Sequence, residues 1–117
     1  MDVRPLNGVD ALARLLETDE RDAPGMILVG SASDRLSRDL LEEVRRDTPI
    51  YPQFVFYQFD LDDYGSPEQD RTLSLLLDDI GIERLPAQIL LPSRGCRPSV
   101  INAASMMAIK RALRFLY

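Results

Sequence analysis

The sequence has 117 residues, of which 45% are hydrophobic, and a net charge of −5 at neutral pH. This length suits one domain over residues 1–117, with a core that needs no disulfide or metal. The acidic balance argues against a nucleic-acid surface, which needs a basic patch. No apolar run approaches the roughly 18 residues of a membrane span, and the start "MDVRPLNGVD" is unlike a signal peptide. We therefore expect a cytoplasmic protein that binds neither nucleic acid nor membranes.

The content of cysteine and histidine excludes several kinds of chemistry. The chain has one cysteine, Cys96, and no histidine. A structural zinc site made of four Cys or His ligands is therefore impossible, as is a Ser-His or Cys-His catalytic pair. No disulfide can form within the chain. We expect no metal, no cofactor and no catalytic residues, and hence a protein that is not an enzyme.

The first half of the chain predicts two helices and two strands. Asn7 can cap a first helix, whose apolar stripe is Val9, Leu12, Ala13 and Leu16. The run "MILVG" predicts a buried strand. Ser33 or Asp34 can then cap a second helix, whose predicted stripe is Leu36, Leu40, Leu41 and Val44. The aromatic and β-branched run "QFVFYQFDLD" predicts the second strand.

The second half of the chain predicts a helix, a hairpin and a final helix. Ser66 caps the third helix and Gly81 stops it, with a stripe of Leu73, Leu76, Leu77 and Ile80. "AQILL" and "SVI" predict two strands joined by a turn. Asn102 can cap the last helix, whose stripe is Met106, Ile109, Leu113 and Leu116. Strands that alternate with helices indicate parallel pairing, with an antiparallel edge from the hairpin. We therefore expect an α/β fold with a four-stranded mixed sheet flanked by helices on both faces.

This order of elements, together with three segments, resembles thioredoxin over nearly the whole chain. The segments are "MILVG", "FYQFDLD" and "GIERLPAQILLPSRG". Pro86 matches the cis-proline of that family, although Ala87 replaces the usual threonine. The family's Trp-Cys-x-x-Cys motif is absent, and "SASDRLSRD" stands in its place. The resemblance thus implies a thioredoxin-like fold without the dithiol, whose chemistry needs two thiols.

Two families that lack the dithiol also resemble this chain. The HyaE/HupG hydrogenase accessory proteins resemble it in size and near "LPAQILL", and the clock protein KaiB resembles it in "LVGSASDRLSRDLL". Both imply that the scaffold can serve as a protein-binding module. We therefore expect a redox-inactive module that binds another protein, as an assembly or chaperone-like accessory factor.

The expected binding surface joins two segments of the chain. The resemblance implies that Leu85 exposes its backbone to an extended partner peptide, next to Pro86, with Arg84 making a charge contact. The second segment lies at a predicted helix N-terminus and comprises Ser31, Ala32, Ser33 and Asp34. Its free N–H groups favour an anion, unless Ser33 and Asp34 satisfy them as caps. We expect the two segments to meet at the carboxyl ends of the parallel strands.

Other features of the sequence have alternative interpretations. Cys96, between Arg94 and Arg97, is either an incidental surface cysteine or a monothiol used in redox or glutathione chemistry. Asp60, Asp62, Asp63 and Asp70 form either a solvated acidic loop or a cation site. Leu75 lies off the core stripe of the third helix. Either this helix is well covered on that side, or Leu75 marks a contact with a partner. A structural subunit of a larger complex is a further alternative for the whole chain.

Overall fold

The structure is a computed structural model that describes residues 3–6, 8–17, 24–61, 77–92 and 98–114. The strands are β1 (Arg4–Pro5), β2 (Gly25–Gly30), β3 (Val55–Asp60), β4 (Ala87–Leu91) and β5 (Ser99–Ile101). The α-helices are α1 (Val9–Glu17), α2 (Arg35–Asp47) and α3 (Met106–Leu113), and a 3₁₀ turn covers Thr48–Ile50. Residues 77–80 are also helical.

The strands form one mixed sheet in the order β1-β3-β2-β4-β5. The four predicted strands are β2 to β5. The prediction of four strands missed β1, because a two-residue edge strand that includes Pro5 has no periodicity to detect. β3 runs parallel to β1 and β2, whereas β4 runs antiparallel to both β2 and β5. Parallel pairing was therefore the wrong expectation for β4, whose first residue lies beside the end of β2.

Helices cover both faces of the sheet, as predicted. Met26 and Leu28 of β2 face α2 and α3, in a cluster with Leu40, Val44 and Ile109. The alternate residues of β2 face the opposite side, because successive side chains of a strand point to opposite faces. That second cluster holds Leu12 of α1 together with Ile27, Val29, Phe59, Leu77 and Ile82.

The apolar stripe of α2 is displaced from the predicted one. Leu40 and Val44 are buried and Leu41 packs against the core, but Leu36 is 55% exposed. Ser37 takes the buried position instead. A Cβ added to Gly30 would lie 2.8 Å from Ser37 Cβ, so α2 passes too close to β2 for a leucine there. The tight packing of helix against strand explains why Leu36 points away from the sheet.

Gly81 ends its helix as predicted. Its N–H donates to the carbonyl of Asp78, and the N–H of Ile82 donates to the carbonyl of Leu77 at 2.9 Å. This pattern is a Schellman motif, which requires a left-handed residue at the helix end. Gly81 supplies it with φ of 92°. The predicted residues Asn7, Ser66, Leu73, Leu75, Leu76 and Leu116 lie outside the described residues.

Candidate functional site

The two predicted binding segments meet at one edge of the sheet. Residues 31–34 follow β2 and residues 84–86 precede β4. The register pairs Val29 with Ala87, so the end of one strand adjoins the start of the other. Pro86 thus lies at the amino end of an antiparallel strand, and not at the carboxyl end of a parallel one. Ser31, Ala32 and Pro86 line a common pocket of about 80 Å³.

The loop of residues 31–34 satisfies its own polar groups and those of the helix that follows. Asp34 is the N-cap of α2, and its Oδ2 accepts from Ser37 Oγ at 2.7 Å and from Ser37 N at 3.2 Å. Ser33 is not the cap; its hydroxyl shares a 2.8 Å hydrogen bond with that of Ser31. The N–H of Ala32 donates to Asp60 Oδ1 at 3.2 Å, which ties the loop to the end of β3. Because a carboxylate already occupies the helix N-terminus, the geometry favours the capping interpretation over an anion site.

The segment of residues 84–86 is anchored on both sides of Leu85. The side-chain amide of Asn102 donates to the carbonyl of Arg84 at 2.9 Å and to that of Pro86 at 3.4 Å. Within the described part of the chain, the N–H and C=O of Leu85 make no hydrogen bond. Arg84 is exposed, Leu85 is half-buried, and the Leu85–Pro86 peptide is cis, as the resemblance implies. Between two fixed carbonyls, Leu85 therefore has an N–H and a C=O without a hydrogen-bond partner among the described residues. We call these two groups the open peptide group of Leu85.

A buried side-chain amide stabilises this arrangement. Gln88 of β4 is fully buried, and its Nε2 donates to the carbonyl of Ala103 at 2.9 Å. Its Oε1 accepts from the N–H of Ala103 at 2.7 Å. Gln88 thus fixes the backbone next to Asn102, which in turn fixes the segment around Leu85.

The sequence prediction missed the roles of Gln88 and Asn102. Asn102 was predicted to cap the last helix, but the cap is Ser105, whose hydroxyl accepts from the N–H of Ala108. Asn102 lies three residues before that cap, where its amide reaches the segment before β4. The one available signal was a polar Gln88 within the apolar run "AQILL", since a buried amide must find partners.

Several other predicted features lie partly or wholly outside the described residues. Cys96 is among them, together with Arg94, Arg97, Asp62, Asp63 and Asp70. Asp60 is described, and it accepts from Ala32 as stated above. Among the residues that the structure describes, no group of three or more His, Cys, Asp or Glu is placed to hold a metal ion. No helix among them is long and apolar enough to cross a membrane.

The architecture defines a thioredoxin-like α/β fold, and solved structures agree with it. Thioredoxin O2 from Arabidopsis thaliana superposes with a TM-score of 0.74 at 18% identity, covering 99% of this chain and 95% of that one. Thioredoxin O1 from the same plant gives 0.72 at 17% identity, covering 100% and 99%. Spinach chloroplast thioredoxin f gives 0.73 at 13% identity, covering 98% and 93%.

At these identities, the likeness to thioredoxins establishes the fold alone. No model of a known protein family matches the sequence, and no curated protein sequence matches it. The narrower resemblance to HyaE/HupG proteins and to KaiB therefore gains no support from a family or from a sequence relative.

Proposed function

We propose that this chain is a protein-binding module on a thioredoxin-like scaffold, without dithiol redox activity. It binds an extended segment of another protein beside Leu85. The observation that carries the proposal is the open peptide group of Leu85, held between two anchored carbonyls at the edge of a pocket. Main-chain pairing of this kind provides affinity, while neighbouring pockets provide specificity.

The side chains around Leu85 support the same proposal. Arg84 is exposed and can bind a carboxylate of the partner through two parallel hydrogen bonds. Leu85 contributes apolar contact, and the exposed Ala32 lies across the pocket. Leu36, in the first turn of α2 after residues 31–34, exposes 55% of its surface. Such a surface suits an accessory factor that assists the assembly or folding of a larger protein.

The proposed lack of redox activity follows from the thiol content. Reduction of a disulfide by a dithiol protein needs one thiolate to attack and a second thiol to resolve the mixed disulfide. This chain has Cys96 alone. We expect no insulin reduction above the dithiothreitol background, with no difference between the wild type and Cys96→Ser. Reduction or glutathione exchange that Cys96→Ser abolishes would instead support a monothiol enzyme and overturn this part of the proposal.

Affinity capture tests the binding surface. The baits are the wild type, Arg84→Glu/Leu85→Asp, and a matched control, Arg46→Glu/Ile50→Asp, which makes the same chemical changes at exposed residues near the other end of α2. We expect a partner that the wild type and the control retain and that the Leu85 variant loses by about tenfold or more. Circular dichroism verifies that each bait is folded.

The same experiment separates the remaining alternatives. Equal capture by all three baits would show that the surface at Leu85 is not the binding site. A chain that is insoluble until it is expressed with its neighbours would indicate a permanent structural subunit instead of an accessory factor.

A further inference from the structure

The pocket beside Pro86 is lined by the exposed residues Ala32 and Arg38 and lies next to the proposed binding surface. We propose that it is an anchoring subsite for one aliphatic side chain of the partner segment, with a carboxylate two residues further along that segment bound by Arg38. This inference rests on the proposed function and specifies the chemistry of the partner.

The occupant should be apolar because the polar side chains of the pocket wall other than the exposed Arg38 already have partners. Asp60 accepts from Ala32, Ser37 donates to Asp34, and both ends of the Gln88 amide bind Ala103. Among the described residues, no buried side-chain nitrogen or oxygen lacks a hydrogen bond. A hydrocarbon group therefore gains more from the pocket than a polar group does.

The size of the pocket selects an aliphatic group over an aromatic one. Its volume is about 80 Å³, whereas an engineered cavity that takes up benzene measures about 150 Å³. Small residues on the wall, Gly30, Ala32 and Ala87, create the space. Valine, leucine or isoleucine matches this space, and a phenylalanine ring exceeds it.

The position of the pocket places that side chain next to the residue that pairs with Leu85. Pro86 and Ala87 line the pocket and directly follow Leu85 in the chain. In an extended peptide, successive residues rise about 3.3 Å and point to opposite sides. When one partner residue pairs with the Leu85 backbone, its neighbour can therefore point into the pocket.

Arg38 supplies the positive charge that would bind the acidic residue of the partner segment. It lines the pocket from α2 and is exposed. Its guanidinium makes no ion pair or hydrogen bond with any residue in the described ranges, whereas Arg35 pairs with Asp39 at 3.7 Å. The acids beside the pocket, Asp34 and Asp60, are held by Ser37 and Ala32. An acidic residue of the partner can thus bind Arg38 through its planar group of donors.

Synthetic peptides test this subsite without the natural partner. The probes are acetylated, amidated heptapeptides Thr-Thr-Thr-X-Thr-Glu-Thr, with leucine, alanine or phenylalanine at X, and a version of the leucine peptide in which lysine replaces the glutamate. Binding is measured by titration of ¹⁵N-labelled protein in nuclear magnetic resonance. We expect the leucine peptide to bind at least about tenfold more tightly than the alanine peptide, because it buries three more carbon groups. It should also bind more tightly than the phenylalanine and lysine peptides, with shifts at Gly30, Ser31 and Leu85.

Variants of the protein locate the binding. Leu41→Phe fills the pocket from the half-buried face of α2 and should reduce binding of the leucine peptide to the level of the alanine peptide. Leu15→Phe is the matched control, because Leu15 is half-buried on α1, at the opposite face of the sheet. Ala32→Leu, at an exposed position of the pocket wall, also narrows the pocket. It replaces Leu41→Phe in the binding test if that variant does not fold. Arg38→Glu should reverse the preference for glutamate over lysine.

The outcomes separate this proposal from the proposed function. If Leu85→Asp abolishes binding of every peptide while Leu41→Phe and Ala32→Leu change nothing, the subsite is overturned and the Leu85 surface stands. Equal affinity for leucine and alanine peptides, or no binding at millimolar peptide, also overturns the subsite. The capture experiment then decides the proposed function independently.

Discussion

Replacing Gln88 by alanine is expected to lower the free energy of unfolding by about 3–5 kcal/mol. Truncation leaves the N–H and C=O of Ala103, which is 6% exposed, without partners. Each unsatisfied buried group costs about 1–3 kcal/mol, and the space left by the side chain adds a cavity cost. Because a domain has only about 5–15 kcal/mol of net stability, urea denaturation should show a large shift of the midpoint.

Two further variants separate the causes of the Gln88 effect. Gln88→Met keeps most of the volume but loses both hydrogen bonds, so we expect it to retain more than half of the alanine cost. Gln58→Ala is the matched control, since among the described residues the Gln58 side chain makes one hydrogen bond, an exposed one of 3.4 Å from Arg45. It should cost less than about 1 kcal/mol. A Gln88→Met protein as stable as the wild type would show that the pairing with Ala103 contributes nothing.

Replacing Gly25 by alanine is expected to cost at least about 3 kcal/mol, the upper end of typical overpacking effects. Gly25 begins β2 and pairs with Val55 of β3. An added Cβ would overlap the carbonyl oxygen of Val55, and a backbone atom in a sheet cannot rotate away as a side chain can. The two central strands must separate, so thermal unfolding should begin well below that of the wild type.

Gly81→Ala is the control for the Gly25 variant. At Gly81 an added Cβ meets no described atom within 4 Å, and only the φ of 92° opposes it. The left-handed conformation costs about 1–2 kcal/mol for a residue with a side chain. A Gly25→Ala protein as stable as Gly81→Ala would contradict the predicted clash between β2 and β3.

Much of the fold could be predicted because the relevant signals are local. The stop at Gly81 and the cap at Asp34 depend on neighbours within five residues. The buried runs of β2 and β4 depend on composition alone. The stripe of α2 was predicted only in part, because Leu36 and Ser37 are consecutive residues. Only the close contact with Gly30 decides which of the two is buried.

The candidate site was predicted only as two segments, because its geometry depends on contacts across the chain. Asn102 reaches Arg84 over 18 residues, and Gln88 reaches Ala103 over 15. A polar residue near a helix start is well explained as a cap, so the sequence offers no reason to assign Asn102 any other role. The pocket itself results from small residues on different elements, which no single segment reveals.

The sequence by itself determined the order of the described elements after β1, the two-faced core and the absence of a dithiol, because periodicity, helix caps and residue content are local properties. Only the tertiary structure decided that β4 runs antiparallel to β2. That direction brings Pro86 beside the end of β2 and leaves the Leu85 peptide open at the pocket. The physical reason is that the direction of a strand depends on the neighbour with which it pairs. The residue pattern of the strand is the same for parallel and antiparallel pairing.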